Sequence, residues 1–276
     1  MSEEPIIRLK GISKSYGNSR ILRDIDMAVN KGDIYGLIGK NGAGKTTLFK
    51  VILGLSPYQT GEMSLFGGKN EAENRANRQR IGFFVGASFF GYLTGRENLD
   101  YYRRVKGVKD KKEIDRVLDI VGLTEEQSKV PAVRYSLGMK QRLGIANALL
   151  GKPELLIFDE PTNGLDPQGI HDIRTLIRRI NEQEGTTIIV SSHILRELEN
   201  TAHRFGIVHE GVIKREITRD EMNRQNGIVS IEVADSDGDK AKAALEQNGI
   251  EIRNMARKDS SLEDFYFGLV GGDGNA

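Results

Sequence analysis

Nine consecutive residues, Gly39-Lys40-Asn41-Gly42-Ala43-Gly44-Lys45-Thr46-Thr47, carry the clearest chemistry in this chain. They fit G-x-x-x-x-G-K-[ST], a loop whose backbone N–H groups converge on phosphate oxygens. Gly39, Gly42 and Gly44 free the backbone to take conformations that a Cβ would resist, and Asn41 and Ala43 complete the turn. Lys45 would reach the β- and γ-phosphates of a nucleotide. The Thr46 hydroxyl would bind Mg²⁺, and Thr47 stands where it would touch the α-phosphate. The flanks suit the motif. Asp33 to Ile38 reads as a buried strand and Thr46 to Leu53 as a helix stopped by Gly54, so the positive helix end adds to the pull on an anion.

Two carboxylates, Asp159 and Glu160, follow the apolar run Leu155-Leu156-Ile157-Phe158. Alone they would pass for a helix-capping pair. Behind a phosphate loop they sit at the carboxyl end of a buried strand, where ligands bind in open α/β sheets. There Asp159 would hold Mg²⁺, directly or through water, and Glu160 would polarise an attacking water. His193 ends a second such strand, Thr186 to Val190 followed by Ser191 and Ser192, from which it can reach a γ-phosphate. Tyr16, beside Gly17 and about two dozen residues before the loop, reads as a turn tyrosine or as a ring on which adenine stacks, a contact worth roughly 1–3 kcal/mol.

The elements that must position these groups follow from periodicity and punctuation. Strands are expected over Ile6–Lys10, Ile21–Val29, Glu62–Phe66 and Ile81–Val85, with a hairpin over Ile207–Val208 and Gly211–Glu216. Helices are expected over Ala72–Arg80, from a Thr94/Glu97 capping box to Lys106, over Lys109–Val121 up to Gly122, over Ser136–Leu150, and over Gln168–Gln183. Three of these helices succeed one another with no strong strand between them, which reads as a helical insertion at about 87–152. The apolar and aromatic stretch Gly86-Ala87-Ser88-Phe89-Phe90-Gly91-Tyr92-Leu93 reads equally as core or as a docking surface. From residue 217 to about 270 the pattern restarts as a small β-α-β-α appendage, with strands over Ile228–Val233 and Ile250–Arg253, a helix over Asp239–Gln247 and a last helix over Ser261–Leu269. Residues 271–276 read as a disordered tail.

Composition narrows the classes. The 276 residues contain 40 Lys+Arg against 39 Asp+Glu, a net charge of +1, so bulk charge gives no sign of direct nucleic-acid binding. There is no cysteine, which fits a reducing compartment. The opening Met1-Ser2-Glu3-Glu4-Pro5 is acidic and reads as no signal peptide, and no apolar run approaches the ~18 residues that cross a bilayer. Two motifs are read as chance. Asn30-Lys31-Gly32-Asp33 imitates a guanine-reading motif on the wrong side of the phosphate loop. Asp235, Asp237, Asp239 and Glu246 imitate a calcium loop with Lys240 where glycine is needed.

With Tyr135-Ser136-Leu137-Gly138-Met139-Lys140-Gln141-Arg142 in place, the order of motifs over residues 5–216 resembles the ATP-binding cassette family, whose signature is L-S-G-G-Q at the head of a helix. The variant here looks like the subgroup that serves export of, or immunity to, bacitracin and lantibiotics, a matter of antibiotic resistance. The resemblance implies an α/β P-loop NTPase cassette: a RecA-like parallel sheet core with an antiparallel β subdomain, a helical subdomain and the small C-terminal α+β appendage. It implies ATP hydrolysis with Mg²⁺, with Glu160, His193 and Lys45 catalytic and Thr46 and Asp159 on the metal. It implies a head-to-tail homodimer in which Ser136 and Gly138 of one copy cap the nucleotide of the other and Asp166 organises the interface. It further implies an integral-membrane permease as partner, docked near Phe89–Tyr92, and a cytoplasmic location at the inner face of the membrane. A non-transport cassette ATPase and an ATP-binding regulatory subunit are the alternative readings. Two departures stand out. Gly86 occupies the place where the family has glutamine and the peptide-export subgroup often glutamate, which is expected to weaken coupling between nucleotide and permease. Leu137 and Met139 replace a glycine and the glutamine of the signature.

Overall fold

The computed structural model describes residues 4–85, 89–199, 201–224, 231, 233–252 and 255. The chain divides into two compact units, Met1–Met222 and Asn223–Ala276. In the first, β1 (Ile7–Tyr16) and β2 (Ser19–Val29) form an antiparallel pair, and β1 also pairs antiparallel with β4 (Thr60–Leu65). Between them in the chain lie β3 (Ile34–Ile38) and α1 (Lys45–Ile52). Then come α2 (Glu71–Asn77), β5 (Ile81–Phe84), α3 (Gly95–Val105), α4 (Lys112–Val121), α5 (Glu125–Ser128) and α6 (Leu137–Leu149). β6 (Leu155–Asp159), α7 (Pro167–Glu184), β7 (Thr187–Ser192), α8 (Leu195–Glu199), β8 (Arg204–His209) and β9 (Val212–Thr218) follow. The main sheet has the order β5-β6-β7-β3-β8-β9, parallel except for the β8–β9 hairpin.

Both faces of this sheet are covered, which is why its strands read as unbroken apolar runs. Alternation still sorts their side chains. Tyr35, Leu37, Leu155, Ile157 and Ile189 join one core with α1 and the antiparallel sheet, in which Ile7, Leu9, Leu22 and Ile25 are buried against Leu48, Phe49 and Ile52. Ile34, Ile38, Leu156, Phe158, Ile188 and Val190 join the other, with Ile173, Leu176, Ile177 and Ile180 of α7 and with α4 and α6. The helical segment is tied to the sheet where α6 lies on β5. A Cβ on Gly82 would overlap the Ala148 carbonyl, and one on Gly144 would overlap the Phe84 ring, so both glycines permit a close approach.

Several boundaries differ from those expected. The helix expected over Ala72–Arg80 is α2 followed by a 3₁₀ turn at Arg78–Arg80, where Arg78 turns back to donate to the Ile52 carbonyl (2.9 Å) and pairs with Glu71 (2.6 Å). The helix expected from Lys109 begins at Lys112, because the Asp110 carboxylate accepts from the Lys112 N–H (2.9 Å) in a turn. α5 and α8 were not expected from the sequence. The first carries its own capping box, Thr124 with Gln127, over only four residues.

α9 (Arg219–Arg224) follows β9, and in the second unit Asp235–Asp237 form a 3₁₀ turn leading into α10 (Gly238–Gln247). Asp237 pairs with Lys240 (3.3 Å), and among the described residues no cluster of acidic or histidine side chains is arranged to hold a metal. Ile250–Ile252, expected in a strand, is not in one. The Ser261–Leu269 helix, most of the Ile228–Val233 strand, the 271–276 tail and Gly86 lie outside the described residues.

Candidate functional site

The phosphate loop joins the end of β3 to the start of α1. Gly42 and Gly44 have φ of 81° and 107°, the left-handed region that favours glycine, and Gly44 is the N-terminal cap of α1. Gly39 lies against the Val208 carbonyl with no room for a Cβ. Lys45 is 4% exposed, and its Nζ donates to the Gly39 carbonyl at 2.6 Å and the Lys40 carbonyl at 3.3 Å. Asn41 and Thr46 are exposed, Ala43 is buried and Thr47 half-buried.

The two acids come from β6 and meet the loop from across the sheet. The Thr46 hydroxyl donates to Asp159 Oδ2 (2.5 Å), and Lys45 Nζ lies 3.1 Å from Glu160 Oε1. His193 comes from the end of β7, with Nδ1 3.1 Å from Glu160 Oε2. Lys45, Thr46, Asp159, Glu160 and His193 are thus brought together, although they lie on one helix and at the ends of two strands. Parallel pairing produces this convergence, since it sets Asp159 opposite Ser191 and puts both strand ends at one edge.

Ser191, to which the sequence assigned no role, lies at the centre of the arrangement. Its hydroxyl donates to Asp159 Oδ1 (2.6 Å) and accepts the Glu160 N–H (3.0 Å). Glu160 needs that support. Its φ is +49°, unusual for a residue with a Cβ, and such strain persists where surrounding bonds over-determine it. The signal for Ser191 was its register position opposite the acid, which only the sheet order reveals.

These groups open on a cavity of about 660 Å³, lined by Asn41, Gly42, Gly44 and Lys45–Thr47 on one side and by Asp159 and Glu160 on another. Its size falls within the range of small-molecule sites. Ile21, Phe84, Asn163 and Gln141 of the signature segment complete the wall, and the sequence had assigned none of them a role there. Tyr16 does not line it. That ring is 49% exposed, carries Lys14 Nζ at 4.8 Å over its face and bonds through its hydroxyl to Ser56 (3.0 Å). Ser136, Gly138 and Asp166 also stand apart from the cavity. Ser136 is exposed and caps α6 by accepting the Met139 N–H (3.2 Å), with Gly138 in the first turn. Asp166 caps α7 by accepting the Gly169 N–H (2.8 Å).

A lysine in a backbone nest, a hydroxyl and carboxylate of hard oxygen donors, and a second carboxylate beside an imidazole are chemically suited to a nucleoside triphosphate and to attack of water on it. Comparison with known proteins gives the family. The ABC transporter family model matches residues 22–163. The bacitracin transport ATP-binding protein BcrA of Bacillus licheniformis is 38% identical, over 97% of this chain and 98% of its own length. The lantibiotic transport ATP-binding protein SrtF of Streptococcus pyogenes is 40% identical, over 75% of this chain and 89% of its own. Among solved structures, an ATP-binding subunit of an ABC transporter superposes with a TM-score of 0.69 at 31% identity, covering 87% of this chain and 99% of that one. The cassette MJ0796, solved as a dimer bound to ADP and Pi, shares the fold with a TM-score of 0.69 at 24% identity, covering 77% of this chain and 98% of that one. The chain belongs to the ABC transporter family and is one of its ATP-hydrolysing cassettes.

Proposed function

We propose that this chain is the ATPase subunit of an exporter for an antimicrobial peptide, antibiotic or related amphipathic compound, working beneath a separate membrane permease. The observation that supports the catalytic part best is the contact of Glu160 with both Lys45 and His193. ATP would lay its β- and γ-phosphates in the Gly39–Thr47 loop, where Lys45 Nζ neutralises charge that develops on the transferred group. Thr46 and Asp159 would hold Mg²⁺. Their hard oxygens fit that ion. When bound, the ion withdraws charge from the phosphate oxygens. Glu160 would accept a proton from the attacking water, and His193 would bind the γ-phosphate while holding the Glu160 carboxylate in place.

Ser136 and Gly138 lie at the exposed start of α6 and away from their own cavity, which suits a head-to-tail dimer in which each copy covers the other's nucleotide. Asp166 would stand at that interface. For the permease, the structure favours one of the two readings of the Phe89–Leu93 stretch. Phe89 packs on the core, while Tyr92 and Tyr101 are exposed around Phe90, whose ring lies 6.0 and 4.9 Å from theirs. Buried Asn98 fixes this aromatic platform by accepting the Phe90 N–H (3.0 Å) and donating to the carbonyls of Phe90, Leu93 and Thr94. A rigid, exposed aromatic patch is suited to docking. Among the described residues no helix is long and apolar enough to cross a membrane, so the reading places the chain at the inner membrane face through its partner. The cargo class rests on full-length similarity to a bacitracin transport protein. The test is purification of the tagged chain from detergent-solubilised native membranes. A stoichiometric multi-span partner is expected, whose co-expression makes ATP turnover respond to antimicrobial peptides. Ribosomal or DNA-repair partners instead would move the chain to a non-transport role.

A further inference from the structure

Glu197 lies outside the nucleotide cavity, on the five-residue helix α8, and is 7% exposed. Its Oε2 accepts two hydrogen bonds, from the Thr162 hydroxyl at 2.8 Å and the Ser192 hydroxyl at 2.7 Å. Thr162 follows Glu160 by two residues, and Ser192 immediately precedes His193. One carboxylate oxygen therefore joins the two backbone segments that present the water-polarising acid and the γ-phosphate histidine. A small cavity of about 80 Å³, walled in part by Glu160, Asn163, His193 and Glu197, lies between them.

A buried carboxylate is costly, and none of the ion pairs among the described residues includes this one. What it provides is a fixed sense of donation. A carboxylate only accepts, so both hydroxyls must donate to it. Ser192 Oγ then keeps its lone pairs for the Ile194 N–H, which it accepts at 2.9 Å, and the turn on either side of His193 is clamped. The strained backbone of Glu160 is held on its other side by Ser191, so the two ties act together.

We propose that Glu197 is a positioning residue for ATP hydrolysis, clamping the Thr162 turn to the end of β7 so that His193 and Glu160 keep their 3.1 Å contact. The proposal rests on the ATPase reading of the site. Steady-state kinetics on the full chain with Mg²⁺ and ATP test it, using Glu197→Ala, Glu197→Gln and Thr162→Val, with binding of a fluorescent ATP analogue measured in parallel. Glu197→Ala is expected to lower kcat about 10- to 100-fold with KM and analogue affinity within about 3-fold, because only the geometry of attack is disturbed. Glu197→Gln, which keeps the shape and one acceptor, is expected to recover part of that loss. Added to His193→Ala, Glu197→Ala is expected to cost under about 2-fold more, since residues that act as a unit are not additive. A folded Glu197→Ala protein with wild-type kcat, or a loss that multiplies in full with that of His193→Ala, overturns the proposal. Should Glu197→Ala not fold, wild-type kcat in both Glu197→Gln and Thr162→Val overturns it equally, and a reduced kcat in both at unchanged affinity supports it. Absence of turnover in the wild-type chain would instead count against the ATPase reading.

Discussion

Glu160 is the single residue on which the proposed chemistry of this cassette turns. Its backbone is left-handed, its N–H is held by Ser191, and its carboxylate is shared between Lys45 and His193. Removing the charge while keeping the shape isolates the proton-accepting role, so Glu160→Gln is expected to cut ATP turnover by about 10²-fold or more and to leave ATP affinity within a few-fold. Phosphate release and equilibrium binding on the same preparation check both halves. Ser191→Ala removes the hydroxyl that aligns Asp159 with Glu160, and a fall in kcat of roughly 10-fold with a raised Mg²⁺ requirement is expected from a Mg²⁺ titration. The two substitutions mark the limit of what was legible at this scale. Asp159, Glu160 and His193 were visible because strand ends behind a phosphate loop are a known place for such groups. Ser191 and Gln141 were not, because their roles depend on register and on the packing of α6 against β5, and neither is written in local periodicity.

Among the elements, β3, β6 and β7 were legible as apolar runs closed by polar residues, and α3 by its capping box, because local patterns specify them. α5 and α8 were not, being only four and five residues long and too short for a periodic pattern. The seat of α6 on β5 was also hidden, although it sets where the signature residues stand. Gly82→Ala drives a methyl into the Ala148 carbonyl, and an overpacking loss of about 1–3 kcal/mol is expected in urea unfolding. The helical segment has a second anchor. Arg116 on α4 bonds Glu113 (2.6 Å), Glu184 at the end of α7 (3.0 Å) and the Leu149 carbonyl (2.9 Å), while Glu113 also accepts the Gly151 N–H (3.1 Å). Burial pushes the Glu113 carboxyl up, but the Arg116 hydrogen bond and charge, the Gly151 N–H and Lys152 outweigh it and hold it below the ordinary 4.5. A carboxyl lowered in the folded state stabilises fully above its unfolded value and loses that contribution as pH falls through the folded one. Glu113→Gln is therefore expected to lower Tm by about 2–4 °C at pH 7, with the gap to wild type closing as pH falls below 4.5. Thermal melts across pH 3–7 read this directly; a gap that persists at the acid end would show that Glu113 acts through packing alone.

For the whole molecule, the proposed head-to-tail dimer accounts for two features that stand apart on one chain. Each chain carries a cavity lined by the Gly39–Thr47 loop and, elsewhere on its surface, an exposed Ser136 at the head of α6 that does not line it. Two copies related head to tail would join these halves. The central claim is that ATP is hydrolysed at a site built from the loop of one copy and the α6 start of another, and complementation between two inactive variants tests it most directly. Lys45→Ala disables the loop and Ser136→Arg blocks the cap, so each alone is expected to be nearly inactive. Mixed in equal amounts and allowed to exchange, half of the dimers combine the two variants, and each of these retains one complete site of two. Turnover is then expected to return to about a quarter of the wild-type rate. A mixture no faster than its parts, or full activity from Ser136→Arg alone, would contradict a shared site.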